Sequence, residues 1–383
     1  MVRIFQIFLR FWRAGGVERW ITCVTDALRR RGLEAYVITM VPGALYLADR
    51  DRIPLKVAET KSYDFNDVDG IIRAGRAISE AISEGIDEDD IILIHSYKEL
   101  VAGVLLKKRY GCKLAYMLHN PPYGFLCSDT GYRQNWVNYR LSVEKYRLWR
   151  EFIGYVDIFF TNTRWVANLY KEYEGISAFP IYGGSEHLLS ANSASIECDD
   201  PYILCVGAFE PRKRQHMLLR VLSRLDDVNL ALVGFIRGLR SKRYFDLLKK
   251  QIDVLGLRER VYIRLNCSDE ELVSYYRGCD FLVHPAYYEH MGLTPMEALS
   301  FGKPVIAQSN GGIPEILRNG VDSALFSDDN EGELARLIRS FWEDSTTLKE
   351  MSRRAFDIRR RFNWERTADL MLRGISNALG IDL

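Results

Sequence analysis

No apolar run in this 383-residue chain reaches the roughly 20 residues needed to span a bilayer. The apolar stretch Met1 to Trp12 is interrupted by Arg3, Gln6 and Arg10. It is too broken for the core of a secretory leader and reads instead as a first β-strand. The seven cysteines are scattered, odd in number and without a C-x-x-C spacing, which excludes a disulfide framework or a zinc ribbon and fits a reducing compartment. A net charge of +1 gives no basis for bulk nucleic-acid binding. The G-x-G-x-x-G fingerprint of dinucleotide sites is missing, as are tandem repeats and low-complexity tracts. No His/Asp cluster has metal-ligand spacing, and Asp67-Val68-Asp69 and Asp87-Glu88-Asp89 read as solvated polar turns. A cytoplasmic chain needing no obligatory metal or cofactor is expected. Peripheral contact with the inner face of a membrane stays open because Tyr132 to Phe152 is a basic aromatic stretch. The same residues at helical spacing also read as core.

Strand and helix patterns alternate along the chain, which predicts parallel α/β sheets. In the first half, strands are expected at Ile4–Leu9, Ala35–Met40, Ile91–His95, Lys113–Leu118, Asp157–Thr161 and Ala178–Ile181, with a helix over Val17–Arg31. A second series runs through Ile203–Val206, Leu230–Val233, Val261–Arg264, Phe281–Val283 and Val305–Ala307. Between them Gly183 to Pro201 is rich in small and polar residues and reads as a linker. Length and pattern together predict two Rossmann-like domains. Their boundaries are expected at 1–184 plus 365–383 and at 201–364, joined by 185–200. Ligands of open α/β sheets bind at the carboxyl ends of the strands, so two facing sheets would focus their loops on a cleft.

The most informative segment is Tyr287-Tyr288-Glu289-His290-Met291-Gly292-Leu293-Thr294-Pro295-Met296-Glu297. It sets two carboxylates on either side of a glycine-containing loop that enters a helix. Thr294 is the expected N-cap and Pro295 the first helical residue. Backbone amides and the positive end of the helix dipole then lie between Glu289 and Glu297. That layout fits a ligand with hydroxyls at both ends and phosphates in the middle. The spacing Thr294-x-x-Glu297 is equally a capping box, a purely structural alternative. Upstream, Gly207-Ala208-Phe209-Glu210-Pro211-Arg212-Lys213 follows a strand with a cationic pair suited to a diphosphate, or with a solvated basic helix start. Gly15-Gly16 makes a tight turn between the first strand and helix, and His95 and His119 end strands, where a histidine is commonly structural.

The Glu289-to-Glu297 segment resembles the E-x7-E signature of the retaining glycosyltransferases of family 4, which have the GT-B fold. Lys303-Pro304-Val305-Ile306-Ala307, Gly311-Gly312-Ile313-Pro314-Glu315-Ile316, Asn319-Gly320 and Leu325-Phe326 are similar to that family's continuation. Gly16-Val17-Glu18-Arg19 resembles its G-x-E-R element, and the double glycine there lets the loop approach the substrates. The resemblance implies a nucleoside diphosphate sugar as donor, with UDP or GDP as carrier and a glucosyl or mannosyl group. Glu289 is then expected on the sugar hydroxyls and Glu297 on the ribose. Gly207, Arg212 and Lys213 are expected on the diphosphate, and His290, Met291, Gly292, Leu293 and Thr294 around the donor. Lys213 matches the lysine of the family's G-R-x-x-x-x-K element, whereas Ala208 replaces its arginine and Arg212 is out of register. Family position makes His119 the first choice of functional histidine and His95 the second, with Gly15 and Gly16 beside the acceptor. The acceptor is expected to be a hydroxyl of a glycan, lipid-linked glycan or small molecule. The family retains anomeric configuration without a clear protein nucleophile, and a C-terminal helix is expected to return to the first domain. A related phosphorylase or sugar synthase, or an inactive nucleotide-sugar-binding protein, is the alternative.

Overall fold

The computed structural model describes residues 2–11, 15–42, 55–57, 67–82, 85–123, 125, 143–196, 198 and 200–381. The chain divides into two compact units, one built from Met1–Ser128, Asn138–Gly183 and Trp364–Leu383 and the other from Gly184–Asn363. In the first unit the strands are β1 Arg3–Ile7, β2 Arg10–Phe11, β3 Glu34–Thr39, β4 Val41–Pro42, β5 Leu55–Val57, β6 Ile91–Ile94, β7 Lys113–Leu118, β8 Ile158–Thr161 and β9 Phe179–Pro180. Seven of them form one sheet in the order β5-β3-β1-β6-β7-β8-β9, and β2 pairs with β4 apart from it. The second unit contains β10 Tyr202–Val206, β11 Asn229–Gly234, β12 Val261–Leu265, β13 Leu282–His284, β14 Val305–Gln308 and β15 Ser323–Phe326, ordered β12-β11-β10-β13-β14-β15. Every strand pair in both sheets is parallel.

Parallel strands covered on both faces need continuous apolar runs, and the central strands supply them. All four residues of β6 and all four of β14 are buried. In each sheet the order reverses once, between β1 and β6 in the first and between β10 and β13 in the second. Such a reversal opens a crevice at the carboxyl ends of the two strands. The loops there carry Gly15 and His95 in one unit, and Gly207 and Glu289 in the other.

The helix Trp364–Leu379 belongs to the first unit. Thr367 Oγ1 donates to the Tyr182 carbonyl at 2.7 Å, and Arg30 reaches Glu365 at 2.8 Å. A Cβ at Gly374 would lie 2.7 Å from the Phe160 ring, so only glycine allows this approach. The strands lie within two residues of their expected bounds. The sequence pattern alone did not supply β15 or the short β2, β4 and β5. Of the basic aromatic stretch, Val143–Phe152 is a helix that buries Leu148 and Trp149, whereas Tyr132, Trp136 and Tyr139 lie outside the described residues.

Candidate functional site

The segment after β13 is fixed at its backbone before its side chains come into play. Tyr288 has φ +42°, a conformation uncommon for a non-glycine residue and frequent at functional loops. The Gly312 amide donates to the Glu289 carbonyl at 2.8 Å, and the Tyr287 amide to the Arg212 carbonyl at 2.8 Å. Gly311 sits at φ +60°, where an added Cβ would be 2.4 Å from the Glu289 carbonyl oxygen. The two glycines therefore press a second loop directly against Glu289.

Three cationic or hydrogen-bonding groups meet on one oxygen of that carboxylate. Lys213 Nζ lies 2.5 Å, His284 Nε2 3.1 Å and Arg212 Nη1 3.4 Å from Glu289 Oε2. The other oxygen, Oε1, has no partner among the described residues and stays accessible. Burial alone would raise the Glu289 pKa, but Lys213, Arg212 and His284 outweigh it and hold the carboxyl well below its ordinary value. Burial lowers Lys213, and Glu289 opposes that shift. The basic segment is thus not a solvated helix start. The side chains of Arg212, Lys213 and Arg214 are only 12%, 14% and 9% exposed. Arg214, at φ +55°, turns inward to donate to Gln308 Oε1 at 3.0 Å and lies over the Tyr287 ring. Ala208 is buried, and its carbonyl accepts from Gln215 Nε2 at 3.0 Å.

The helix carrying Glu297 runs Leu293–Ser300, and its N-cap is Gly292 at φ +85°, ψ +58°. The expected Thr294 cap is therefore corrected: Thr294 and Pro295 already lie inside the helix. The left-handed turn that glycine permits starts it two residues early. No side chain caps this end, and the Leu293 and Thr294 amides have no acceptor among the described residues. The capping-box alternative fails with it. Glu297 instead accepts from Tyr276 O–H at 2.6 Å on Oε2, and its Oε1 lies 2.8 Å from His187 Nε2. His290 and Met291 are buried beside the loop. Sequence reasoning missed Tyr276, His187 and His284. Only His284, five residues before Glu289 at the end of a strand, carried a local signal.

In the first unit, Gly15 is the N-cap of the helix Gly16–Arg30, and a Cβ there would fall 2.0 Å from Glu18 Oε2. His95 and His119 come together after β6 and β7. His95 Nδ1 is 3.0 Å from His119 Nε2, and His95 Nε2 is 3.0 Å from Gln6 Oε1. Both nitrogens of His95 are therefore occupied within the protein. Burial lowers both pKa values, His119 to about 3. Of the two acidic triplets, Asp67 caps the helix Val68–Ala81 by accepting from the Gly70 amide, a structural task. Among the described residues no three His, Cys, Asp or Glu side chains converge as a metal site requires, and no helix is long and apolar enough to cross a membrane.

The sequence matches the profile of the family described as Glycosyl transferases group 1 over residues 190–357, and that of Glycosyltransferase Family 4 over residues 14–182. The D-inositol 3-phosphate glycosyltransferase of Mycolicibacterium smegmatis is 31% identical over 181 residues, which are 47% of this chain and 41% of the relative. The match thus spans well under two thirds of that relative's length. Among solved structures, sucrose-phosphate synthase from Thermosynechococcus elongatus superposes with a TM-score of 0.82 at 17% identity, covering 99% of this chain and 100% of the other. Anabaena HepE in complex with UDP-glucose superposes with a TM-score of 0.78 at 21% identity, over 98% and 99%. At these identities the structural likeness speaks for the fold alone.

Proposed function

The chain belongs to the group 1 glycosyltransferases and has the GT-B fold, and on that premise we propose that it is a retaining hexosyltransferase using a nucleoside diphosphate sugar. The observation that carries this reading is the divided carboxylate of Glu289. Its Oε2 gathers Lys213, His284 and Arg212, while its Oε1 is left open. An anionic acceptor atom beside two buried cations and an uncapped helix N-terminus suits a sugar hydroxyl next to a diphosphate.

In this mechanism Glu289 Oε1 accepts from a donor-sugar hydroxyl, and Lys213 with Arg212 shares its charge between Glu289 and the diphosphate. The Leu293 and Thr294 amides add hydrogen bonds to the phosphate oxygens. Glu297, oriented by Tyr276 and His187, takes the ribose diol. The bond from the anomeric carbon to the diphosphate oxygen breaks, and a bond from that carbon to the acceptor oxygen forms on the same face. The acceptor proton passes to the leaving phosphate. Preorganised cations and amides stabilise the charge that develops there, and no metal is required in this scheme. The donor is a UDP- or GDP-hexose of the glucosyl or mannosyl type. The N-terminal unit carries the acceptor determinants, for a glycan, lipid-linked or small-molecule hydroxyl.

Ala208 favours a second reading, a nucleotide-sugar-binding protein without turnover, because it removes one cation from the expected clamp. Thermal-shift measurements with UDP, GDP, ADP and their sugar conjugates test both. A ligand that binds only the native state raises the melting temperature. A preferred nucleotide sugar followed by transfer of its labelled sugar supports the first reading. Binding without transfer to any hydroxyl acceptor supports the second, and no shift with any nucleotide refutes both.

A further inference from the structure

The helix Gly238–Val254 of the C-terminal unit carries an apolar face that its own packing does not use. Its inner side buries Ser241, Tyr244, Phe245, Leu248 and Ile252. Its outer side carries Leu239, Leu247 and Val254, which are 80%, 62% and 85% exposed and are the three most exposed large apolar side chains among the described residues. Exposed leucines scattered singly are ordinary, but these three share one line. Leu239, Arg243, Leu247, Lys250 and Val254 follow one another at intervals of four, four, three and four residues, so they form a single stripe about 22 Å long. Arg240 borders it, half-buried.

The charges of the helix are sorted in the same way. Asp246 is held by Lys242 at 2.9 Å and by Lys249 at 3.3 Å, and Asp253 by Arg258 at 2.5 Å. The helical period places both carboxylates on one flank, away from the stripe. The stripe itself contains no Asp or Glu, and Arg240, Arg243 and Lys250 have no ion-pair partner among the described residues. A second copy docked on the same stripe would set these cations against themselves. A protein interface would gather its apolar residues into a centre depleted of charge, whereas here cations alternate with aliphatic tips. An anionic bilayer meets both demands. Headgroup phosphates accept from long Arg and Lys side chains while the aliphatic tips reach the acyl boundary.

We propose that the outward stripe of helix Gly238–Val254 docks the C-terminal unit on an anionic lipid surface. Leu239, Leu247 and Val254 enter the acyl boundary, and Arg240, Arg243 and Lys250 meet headgroup phosphates. None of these six residues belongs to the donor site, and the proposal is independent of the glycosyl-transfer reading. The test is flotation of the full chain with vesicles of phosphatidylcholine, with and without phosphatidylglycerol. The chain should float with the anionic vesicles only, and less as salt is added. No flotation with the anionic vesicles overturns the proposal. Arg243→Glu with Lys250→Glu should weaken partitioning by at least about 30-fold. Leu239→Ser, Leu247→Ser and Val254→Ser together keep every charge and should still weaken it by about tenfold or more. Should the triple variant not fold, Leu247→Ser alone should show a smaller loss of the same sign. Binding that the charge reversals abolish and the serine substitutions leave unchanged assigns the face to an acidic protein instead and overturns the lipid partner. A lipid-free dimer that Leu247→Arg dissociates, read by analytical ultracentrifugation, assigns it to a second copy and overturns it equally.

Discussion

Removing the Lys213 ammonium perturbs ligand binding and folding in separable ways. In the ligand-free protein Nζ lies 2.5 Å from Glu289 Oε2, with both side chains largely buried. Breaking a buried ion pair by deleting one partner costs about 3–5 kcal/mol. Arg212 and His284 remain on the same oxygen, and burial already disfavours the protonated lysine, so Lys213→Ala should lie near the lower end. For a unit of this size about 3 kcal/mol corresponds to a fall in Tm of about 6–12 °C. The pH dependence gives the sign. Glu289 has a folded pKa below its unfolded value, so its stabilisation is present above the unfolded pKa and is lost as pH falls through the folded one. Without Lys213 the opposing effect of burial gains weight and the folded pKa rises. Acid unfolding of the variant should therefore begin at a higher pH than in the wild type. On the ligand side, a charge-assisted hydrogen bond contributes about 1.5–3 kcal/mol, which predicts a loss of UDP or GDP affinity of about 10- to 150-fold. Calorimetric titration at a temperature where the variant is folded measures this directly. An unchanged Kd would remove Lys213 from the diphosphate site, and an unchanged acid limb would refute the electrostatic account of Glu289.

Glu289→Ala should abolish sugar transfer while nucleoside diphosphate binding, measured by calorimetry, stays within a few-fold of wild type; near-normal turnover would exclude the sugar contact. Gly311→Ala should destabilise by at least about 1–2 kcal/mol from its left-handed backbone alone, with a further penalty because its Cβ would lie 2.4 Å from the Glu289 carbonyl. Chemical denaturation reads that loss, and a neutral result would show that the loop yields without displacing Glu289. Transfer should persist after exhaustive chelation, and strict dependence on an added divalent cation in the activity assay would contradict a leaving group stabilised by side chains and amides.

The sequence made the strands of each unit's parallel core legible because buried strands and amphipathic helices leave strong periodic signals. Glu289 was legible for another reason: it lies outside a helix, where no capping role explains a carboxylate. The role of Glu297 was read less well. Local spacing offered a capping box, but the αL turn at Gly292 moved the helix start, and Tyr276 and His187 claimed the carboxylate from 21 and 110 residues away. Such partners are set by the packing of distant segments and leave no trace in local spacing. The same holds for Gln6, which sits in a buried strand yet meets Thr25 from a helix and His95 from the loop after another strand. Arg214 follows the cationic pair in sequence, and its inward turn comes with a positive φ that the sequence does not announce.

The two switch points meet opposite electrostatic demands, and this bears on which group removes the acceptor proton. In the C-terminal unit, cations gathered on one oxygen of Glu289 keep it ionised despite burial. In the N-terminal unit the polar chain from Thr25 to His119 contains no formal charge, and burial takes His119 down to about 3. An imidazole with so low a pKa is a poor proton acceptor near neutrality, because an efficient general base has a pKa close to the working pH. His119 is therefore unsuited to deprotonate a hydroxyl. A leaving diphosphate gains negative charge as its bond to the sugar breaks, so its basicity rises when the acceptor proton must move. The proposed transfer of that proton to the leaving phosphate thus requires no strong base from the N-terminal unit.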